Sequence, residues 1–368
     1  MRIERSGLHE LALRDDCGRM TPLHPLWLRE RCGSSESQDE RTGQRLYDPS
    51  DLPADLAIVA IAESHSGWEV TFSDGHRSQV DAATLLAEAS WQPHADGLPP
   101  AQPWDSTLNT MPRFDWHGSD TQTVLSAFLR FGFVILANVP TTPGSVLTAA
   151  RRFGFVRDTN FGALFDVRSV PEATDLAYTG LSLDPHTDNP YRAPVPGIQL
   201  LHCLANETTG GHSTLVDSLR VLEMLRRQDA EAFAILAETP VRFVYRDAQT
   251  ELVHFAPMIA LDASGRIEGM RFSPRLDYVP FMEPARLDHF YRARRLVDGL
   301  LRSPSYELRF MLADGDLLMF DNQRLLHGRS AFDPQEGLRH LQGCYIDMDG
   351  VRSLYRVLNR VRVDGARN

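Results

Sequence analysis

Apolar and polar positions follow two different rhythms along this chain of 368 residues. Near the start the pattern is short and alternating. Leu56 to Ile61 is a brief apolar run, and Trp68-Glu69-Val70-Thr71-Phe72 alternates as a half-buried strand does. Ser73-Asp74-Gly75-His76 then breaks the pattern as a turn. Residues 1–92 therefore read as a small β-rich domain. Between Gln92 and Pro112 stand Pro93, Gly97, Pro99, Pro100 and Pro103, which predicts a linker over 93–112.

Beyond residue 113 the strands read as continuous apolar runs. Buried strands are predicted over Phe131–Ala137, Ile198–Leu204, Tyr306–Met311, Asp316–Phe320 and Leu341–Ile346, with another over His212–Val216 entered through Gly210-Gly211. Helical spacing begins near Gly144 and runs to Phe153, and recurs over Leu219–Arg227, Ala230–Glu238 and Arg286–Arg302. Strands and helices do not alternate as βαβ units, which argues against a dinucleotide-binding sheet. The expected class is α+β, mainly β: a jelly-roll core over 113–368 with flanking helices, preceded by the small domain.

Charge changes the picture only by exclusion. A formal net charge of −11 argues against a partner with a phosphate backbone, so no nucleic acid is expected. No stretch of about 18 uncharged apolar residues appears, so no membrane association is expected. Cys17, Cys32, Cys203 and Cys344 are scattered, and the start of the chain lacks a secretory pattern. Both features suit a reducing cytoplasm.

The candidate chemistry begins at His186-Thr187-Asp188. On extended backbone, residues i and i+2 point the same way, so this imidazole and carboxylate can face one metal. Alone the pattern is weak; it also occurs at His94-Ala95-Asp96 in the expected linker. A second histidine, His327, follows the predicted strand Asp316–Phe320 and would complete a two-histidine, one-carboxylate set. Such a set leaves three positions open on an octahedral ion, as non-haem Fe(II) oxygenases require for a bidentate oxoacid and O2. Arg339, on the next predicted strand, can hold the distal carboxylate of a dicarboxylate cosubstrate. A hairpin would bring it back beside His327.

These residues sit in longer strings that resemble the γ-butyrobetaine and trimethyllysine dioxygenase family. They are Trp27-Leu28-Arg29-Glu30-Arg31-Cys32, Tyr178-Thr179-Gly180, His186-Thr187-Asp188 and Gly197-Ile198-Gln199-Leu200-Leu201-His202-Cys203. Asp321-Asn322 with Leu325-Leu326-His327-Gly328-Arg329, and Arg339-His340-Leu341-Gln342-Gly343-Cys344-Tyr345, complete the set. The resemblance implies a double-stranded β-helix, Fe(II) held by His186, Asp188 and His327, and 2-oxoglutarate held by Arg339 with Leu201 against it. It further implies O2 as cosubstrate, ascorbate as a stimulant, a small-molecule substrate and a homodimer. Hydroxylation would be coupled to conversion of 2-oxoglutarate into succinate and CO2.

Two departures from the family pattern matter. Relatives hold a structural zinc through clustered cysteines and a histidine in the small domain. Here Cys32 and His76 stand at matching places, while Ser34 and Ser37 occupy the other cysteine positions. Two ligands do not close a tetrahedral site, so no zinc is expected. By the same matching, Phe161, Phe165, Tyr178 and Tyr345 fall where relatives place an aromatic cage, which suits a quaternary or primary ammonium head. Where γ-butyrobetaine enzymes hold a carboxylate with asparagines, this chain has Asp175 and Ser273-Pro274-Arg275. Arg271, Arg275, Arg192 and Asn189 are the candidate anion partners.

Extra arginine suits a phosphonate such as 2-(trimethylammonio)ethylphosphonate or 2-aminoethylphosphonate. The alternative is γ-butyrobetaine hydroxylation in carnitine synthesis. Each reading has a plainer rival: Phe and Tyr are routine core residues, and arginine is commonly a solvated surface group. A zinc hydrolase also uses two histidines and one carboxylate, but no His-Glu-x-x-His helix is present and Arg339 would lack a role. A metal-independent jelly-roll binding protein would need none of the three ligands.

Overall fold

The computed structural model describes residues 1–65, 67–90, 97–168 and 180–365. The chain divides into two compact units, Met1–Asp96 and Gly97–Asn368. The first carries two three-stranded antiparallel sheets, Arg2–Gly7, Glu10–Arg14 and Met20–Pro22, then Ile58–Ser64, Gly67–Phe72 and Arg77–Asp81. Leu11, Leu28, Val70, Phe72 and Leu85 form its core, so the Trp68–Phe72 alternation does bury one face. Asp81 caps the helix Ala82–Ala89 by accepting from Thr84 N at 2.7 Å.

The second unit is built on two facing sets of strands. Among the described residues, one sheet has seven strands and includes Phe133–Ala137, Phe165–Arg168, Ile198–Asn206, Leu317–Asp321 and Arg339–Ile346. The other has four: Leu183–His186, Ser213–Asp217, Glu307–Phe310 and Leu325–Arg329. The continuous apolar runs have a simple cause. In the seven-stranded sheet, Val134, Leu136, Leu200, Leu317 and Met319 pack outward on the helices Thr121–Phe131 and Ser145–Phe153. Phe133, Ile135, Leu318 and Phe320, alternating with them, pack inward. Both faces are dry, so the period of two is invisible as polarity.

Three expectations give way. The stretch 93–112 is not a linker throughout, because Trp104 is buried, its amide donating to Asp217 (3.1 Å) and its indole to Phe131 O (2.7 Å). Asp217 also carries the buried ion pair with Arg324 (2.7 Å), so this segment belongs to the second unit. The helices Thr121–Phe131 and Met348–Gly365 escaped the pattern reading. Arg339 and His327 are not hairpin neighbours. The chain leaves the four-stranded sheet after Arg329 and enters the other at Arg339, so the two residues come from different sheets. No described helix is long and apolar enough to cross a membrane.

Candidate active site

A cavity of about 440 Å³ lies in the second unit. Its walls come from both sheets and from the segment between Ser213–Asp217 and Glu307–Phe310, which folds as its own lobe of helices and short strands. His186 is the last residue of its strand and pairs in register with His327 across the ladder. Asp188 follows on a tightly strapped turn. Asn322, fully buried, accepts from Asp188 N (2.8 Å) and donates to the carbonyls of Asp188 (3.0 Å) and Pro196 (3.1 Å). Thr187 N donates to Phe272 O (2.8 Å), and Phe272 N donates to the Thr187 hydroxyl (3.0 Å).

The outcome is a cluster whose three donor atoms lie within 4.8 Å of one another. His186 Nε2 is 3.5 Å from Asp188 Oδ1, and His327 Nε2 is 3.8 Å from Asp188 Oδ2. His186 Nδ1 meets Asp184 O at 2.8 Å, which makes Nδ1 the protonated nitrogen and turns the Nε2 lone pair into the cluster. Burial would raise the Asp188 carboxyl, but His327, His186 and the Tyr345 hydroxyl outweigh it and hold it far below the usual carboxylate range. Burial and the neighbouring His186 push His327 down to about 3. An ionised carboxylate and a neutral imidazole are what a metal ion needs as ligands. Bonds of about 2.0–2.2 Å would bring cis donors to about 3 Å, so the two histidine–aspartate separations need to close by less than ~1 Å. The residues fit a divalent transition metal.

Arg339 lies at the same cavity, donating to Gly211 O at 3.1 Å. Gly211 has φ +70°, and a Cβ there would come within 2.6 Å of Arg339 Nε, so glycine makes room for the guanidinium. Arg329 stands beside it. The two guanidiniums lie 4.9 and 5.3 Å from the Phe332 ring centre, and burial together with Arg339 brings Arg329 down to about 10. One end of the cavity is therefore strongly cationic at neutral pH.

Another part of the lining is aromatic. Phe165 tilts against Tyr345 with ring centres 5.2 Å apart; Phe161 meets Tyr245 edge-on at 5.5 Å, and Tyr245 stacks on Tyr191 at 5.1 Å. The Tyr345 hydroxyl donates to Asp188 Oδ2 at 2.8 Å. Asn189, Ser273 and Arg275 also face the cavity. Tyr191 donates to Asn189 Oδ1 (2.5 Å), which leaves Asn189 Nδ2 on the other side of the amide; that nitrogen and Ser273 Oγ are buried without a hydrogen-bond partner among the described residues.

Thus the structure brings His186, Asp188, His327, Arg339, Leu201, Phe161, Phe165, Asn189, Ser273, Arg275 and Tyr345 around one space. It does not bring Arg271 or Arg192 there. Arg271 is half-buried outside the lining, and Arg192 donates to Asn160 while lying 5.9 Å over the Tyr191 ring. Asp175, Tyr178 and the His94-Ala95-Asp96 string lie outside the described residues. Sequence reasoning missed the roles of Asn322, Arg329, Gln199, Tyr191, Tyr245 and Arg246. Asn322, Arg329 and Gln199 carried a signal, each standing in one of the strings that resemble the family.

Comparison with known proteins agrees with this geometry. The model of the taurine catabolism dioxygenase TauD, TfdA family matches residues 99–345, and that of the γ-butyrobetaine hydroxylase-like N-terminal domain matches residues 4–86. The chain belongs to the TauD/TfdA dioxygenase family. It is 39% identical to the γ-butyrobetaine dioxygenase of Pseudomonas sp. (strain AK-1), over 93% of this chain and 92% of that protein. The human γ-butyrobetaine dioxygenase is 32% identical over 93% of this chain and 92% of its own length. The trimethyllysine dioxygenase of Meyerozyma guilliermondii is 28% identical, covering 94% of this chain and 92% of its own. Among solved structures, AAD-2 in complex with Mn(II) and N-oxalylglycine aligns with a TM-score of 0.51 at 16% identity, over 67% of this chain and 97% of that one, a likeness of fold. This family member is accordingly a dioxygenase, and its His-Asp-His cluster suits the iron that such 2-oxoglutarate-dependent enzymes use.

In the first unit, Cys32 Sγ lies 2.9 Å from His76 Nε2 and 3.3 Å from the Ser34 hydroxyl. Ser37 is occupied by Arg29, which donates to its hydroxyl at 3.0 Å. Cys203 and Cys344 are buried in the apolar core of the second unit, where burial pushes both thiols up to about 12.

Proposed function

We propose that this dioxygenase hydroxylates a small zwitterion with an ammonium head and an anionic end, using Fe(II), 2-oxoglutarate and O2. We read its two facing sheets as the halves of a double-stranded β-helix, with His186, Asp188 and His327 as the iron ligands. One observation carries the reading: a single cavity joins that cluster to a cationic end at Arg339 and to an aromatic wall. Bound there, iron with the oxoacid and O2 supplies the oxidising chemistry for inserting oxygen into a C–H bond. The protein's own part is positioning. Arg339 takes the distal carboxylate of 2-oxoglutarate, with Leu201 against its chain. The rings of Phe161, Phe165 and Tyr345 attract the ammonium head, each contact contributing roughly 0.5–2 kcal/mol. Asn189, Ser273 and Arg275 offer donors to the anion, fixing one C–H bond toward the metal.

Two anions suit this site. Relatives named γ-butyrobetaine dioxygenase favour a carboxylate. The guanidinium of Arg275 beside the unpartnered Ser273 hydroxyl and Asn189 amide favours a phosphonate, which accepts from more donors. The deciding experiment is succinate formation with Fe(II), ascorbate and air across γ-butyrobetaine, trimethyllysine, 2-aminoethylphosphonate and its N-trimethyl analogue. Stimulation by a phosphonate alone assigns the anion site to phosphonate. Stimulation by γ-butyrobetaine alone assigns it to carboxylate. Turnover that survives omission of 2-oxoglutarate would refute the reaction itself.

A further inference from the structure

The backbone of Asp188 is immobilised by Asn322, but that leaves the two side-chain torsions of Asp188 free to turn its carboxylate. His186 and His327 stand farther off, with Nε2 atoms 3.5 and 3.8 Å from its two oxygens. The short contact to this carboxylate comes from Tyr345, whose hydroxyl donates to Oδ2 at 2.8 Å. Tyr345 is itself well fixed. It is 4% exposed, sits within the strand Arg339–Ile346, and is paired in register with Gln199 on one side and Arg157 on the other.

We infer that Tyr345 is a positioning residue for the metal site: its hydroxyl occupies one oxygen of Asp188, so that the carboxylate presents the other to the metal. The consequence follows from ligand counting. A carboxylate held by one oxygen, with two imidazoles, fills three positions of an octahedral ion and leaves three, enough for a bidentate oxoacid and one more ligand. A carboxylate free to turn can take a fourth position and compete with the cosubstrate. The same ring forms part of the aromatic wall, so the residue ties the shape of the substrate space to the orientation of the ligand.

This inference rests on the assignment of His186, Asp188 and His327 as metal ligands, and the test separates the two. Tyr345→Phe keeps the ring and removes only the hydroxyl. Fe(II) binding to the full chain is measured anaerobically by titration calorimetry, without substrate, for the parent, Tyr345→Phe, Phe165→Leu and Asp188→Ala. Loss of a hydrogen bond that orients a metal ligand typically weakens metal affinity 10–100-fold, which is the expected rise in the dissociation constant for Tyr345→Phe. Phe165→Leu, which alters the same wall without touching the hydrogen bond, is expected to leave metal affinity within about threefold, below the whole range of the loss above. In steady state Tyr345→Phe is expected to lower kcat more than it raises the substrate KM, with extra succinate formed per hydroxylated product. An unchanged dissociation constant in Tyr345→Phe, with Asp188→Ala unable to bind, would overturn the role of Tyr345 alone. A parent that binds no better than Asp188→Ala would overturn the ligand assignment and this inference with it.

Discussion

Asn322 holds the metal-facing turn without being part of the cluster, and Asn322→Ala measures how much that strap contributes. The side chain is fully buried and makes three hydrogen bonds at 2.8–3.1 Å, one accepted from Asp188 N and two donated to carbonyls. Alanine leaves one buried N–H and two carbonyls without that partner. An orphaned buried group costs about 1–3 kcal/mol, and the three share one cavity that water can partly fill, so a total of about 3 kcal/mol is expected. For a unit of this size that lowers the melting temperature by roughly 5–10 °C. Asn322→Asp separates geometry from shape, because it keeps the acceptor for Asp188 N, loses both donations and sets a second carboxylate near Asp188. It is expected to be at least as damaging as alanine. The assay is scanning calorimetry of the metal-free protein, with Fe(II) affinity measured in parallel. A drop of less than about 2 °C with unchanged metal affinity would refute the argument that Asn322 fixes the turn.

Three further outcomes are expected. Arg339→Met should raise the KM for 2-oxoglutarate at least about tenfold in the succinate assay, by removing the bidentate partner of a carboxylate; a change below twofold would move that role to Arg329. Gly343→Ala places a Cβ 2.4 Å from Phe165 Cε2 and 2.5 Å from Cζ, so the ring must swing into the cavity. The substrate KM should rise about tenfold, equivalent to losing one good aromatic contact, and an unmoved ring in a crystal structure of the variant would contradict this. Cys32 should titrate at about 6: burial opposes ionisation, but hydrogen bonds from Ser34, Ser78 and His76 prevail. Since the folded thiol lies below its ordinary 9.0, the stability it confers is complete above pH 9.0 and disappears as pH falls through about 6. Ultraviolet thiolate absorbance that shows no step near pH 6 lost in Cys32→Ser would show that these hydrogen bonds do not hold the thiolate.

The strands of the core and the identity of the candidate ligands were legible because each is written locally. A short apolar run such as Ile198–Leu204 has the length of a buried strand, and His186-Thr187-Asp188 carries its own geometry. Segments whose burial depends on distant partners were not legible. Trp104 lies among prolines and reads as linker; it is core only because Asp217 and Phe131, far along the chain, accept its two N–H groups. The lobe that supplies Tyr245, Ser273 and Arg275 reads as ordinary helices and turns, since nothing local says that it folds over a cavity.

What the sequence by itself determined, then, is the set of chemical groups: two histidines, a carboxylate and an arginine in recognisable strings, on strands apolar enough to be buried on both faces. Tertiary structure decided which groups share a space. It brought Arg339 and His327 to one cavity from different sheets, left Arg271 and Arg192 out of the cavity wall, and turned the Tyr345 hydroxyl onto Asp188. The physical reason is that side-chain direction along a strand alternates by residue and is fixed locally, whereas the pairing of strands far apart in sequence is settled only when the whole core packs.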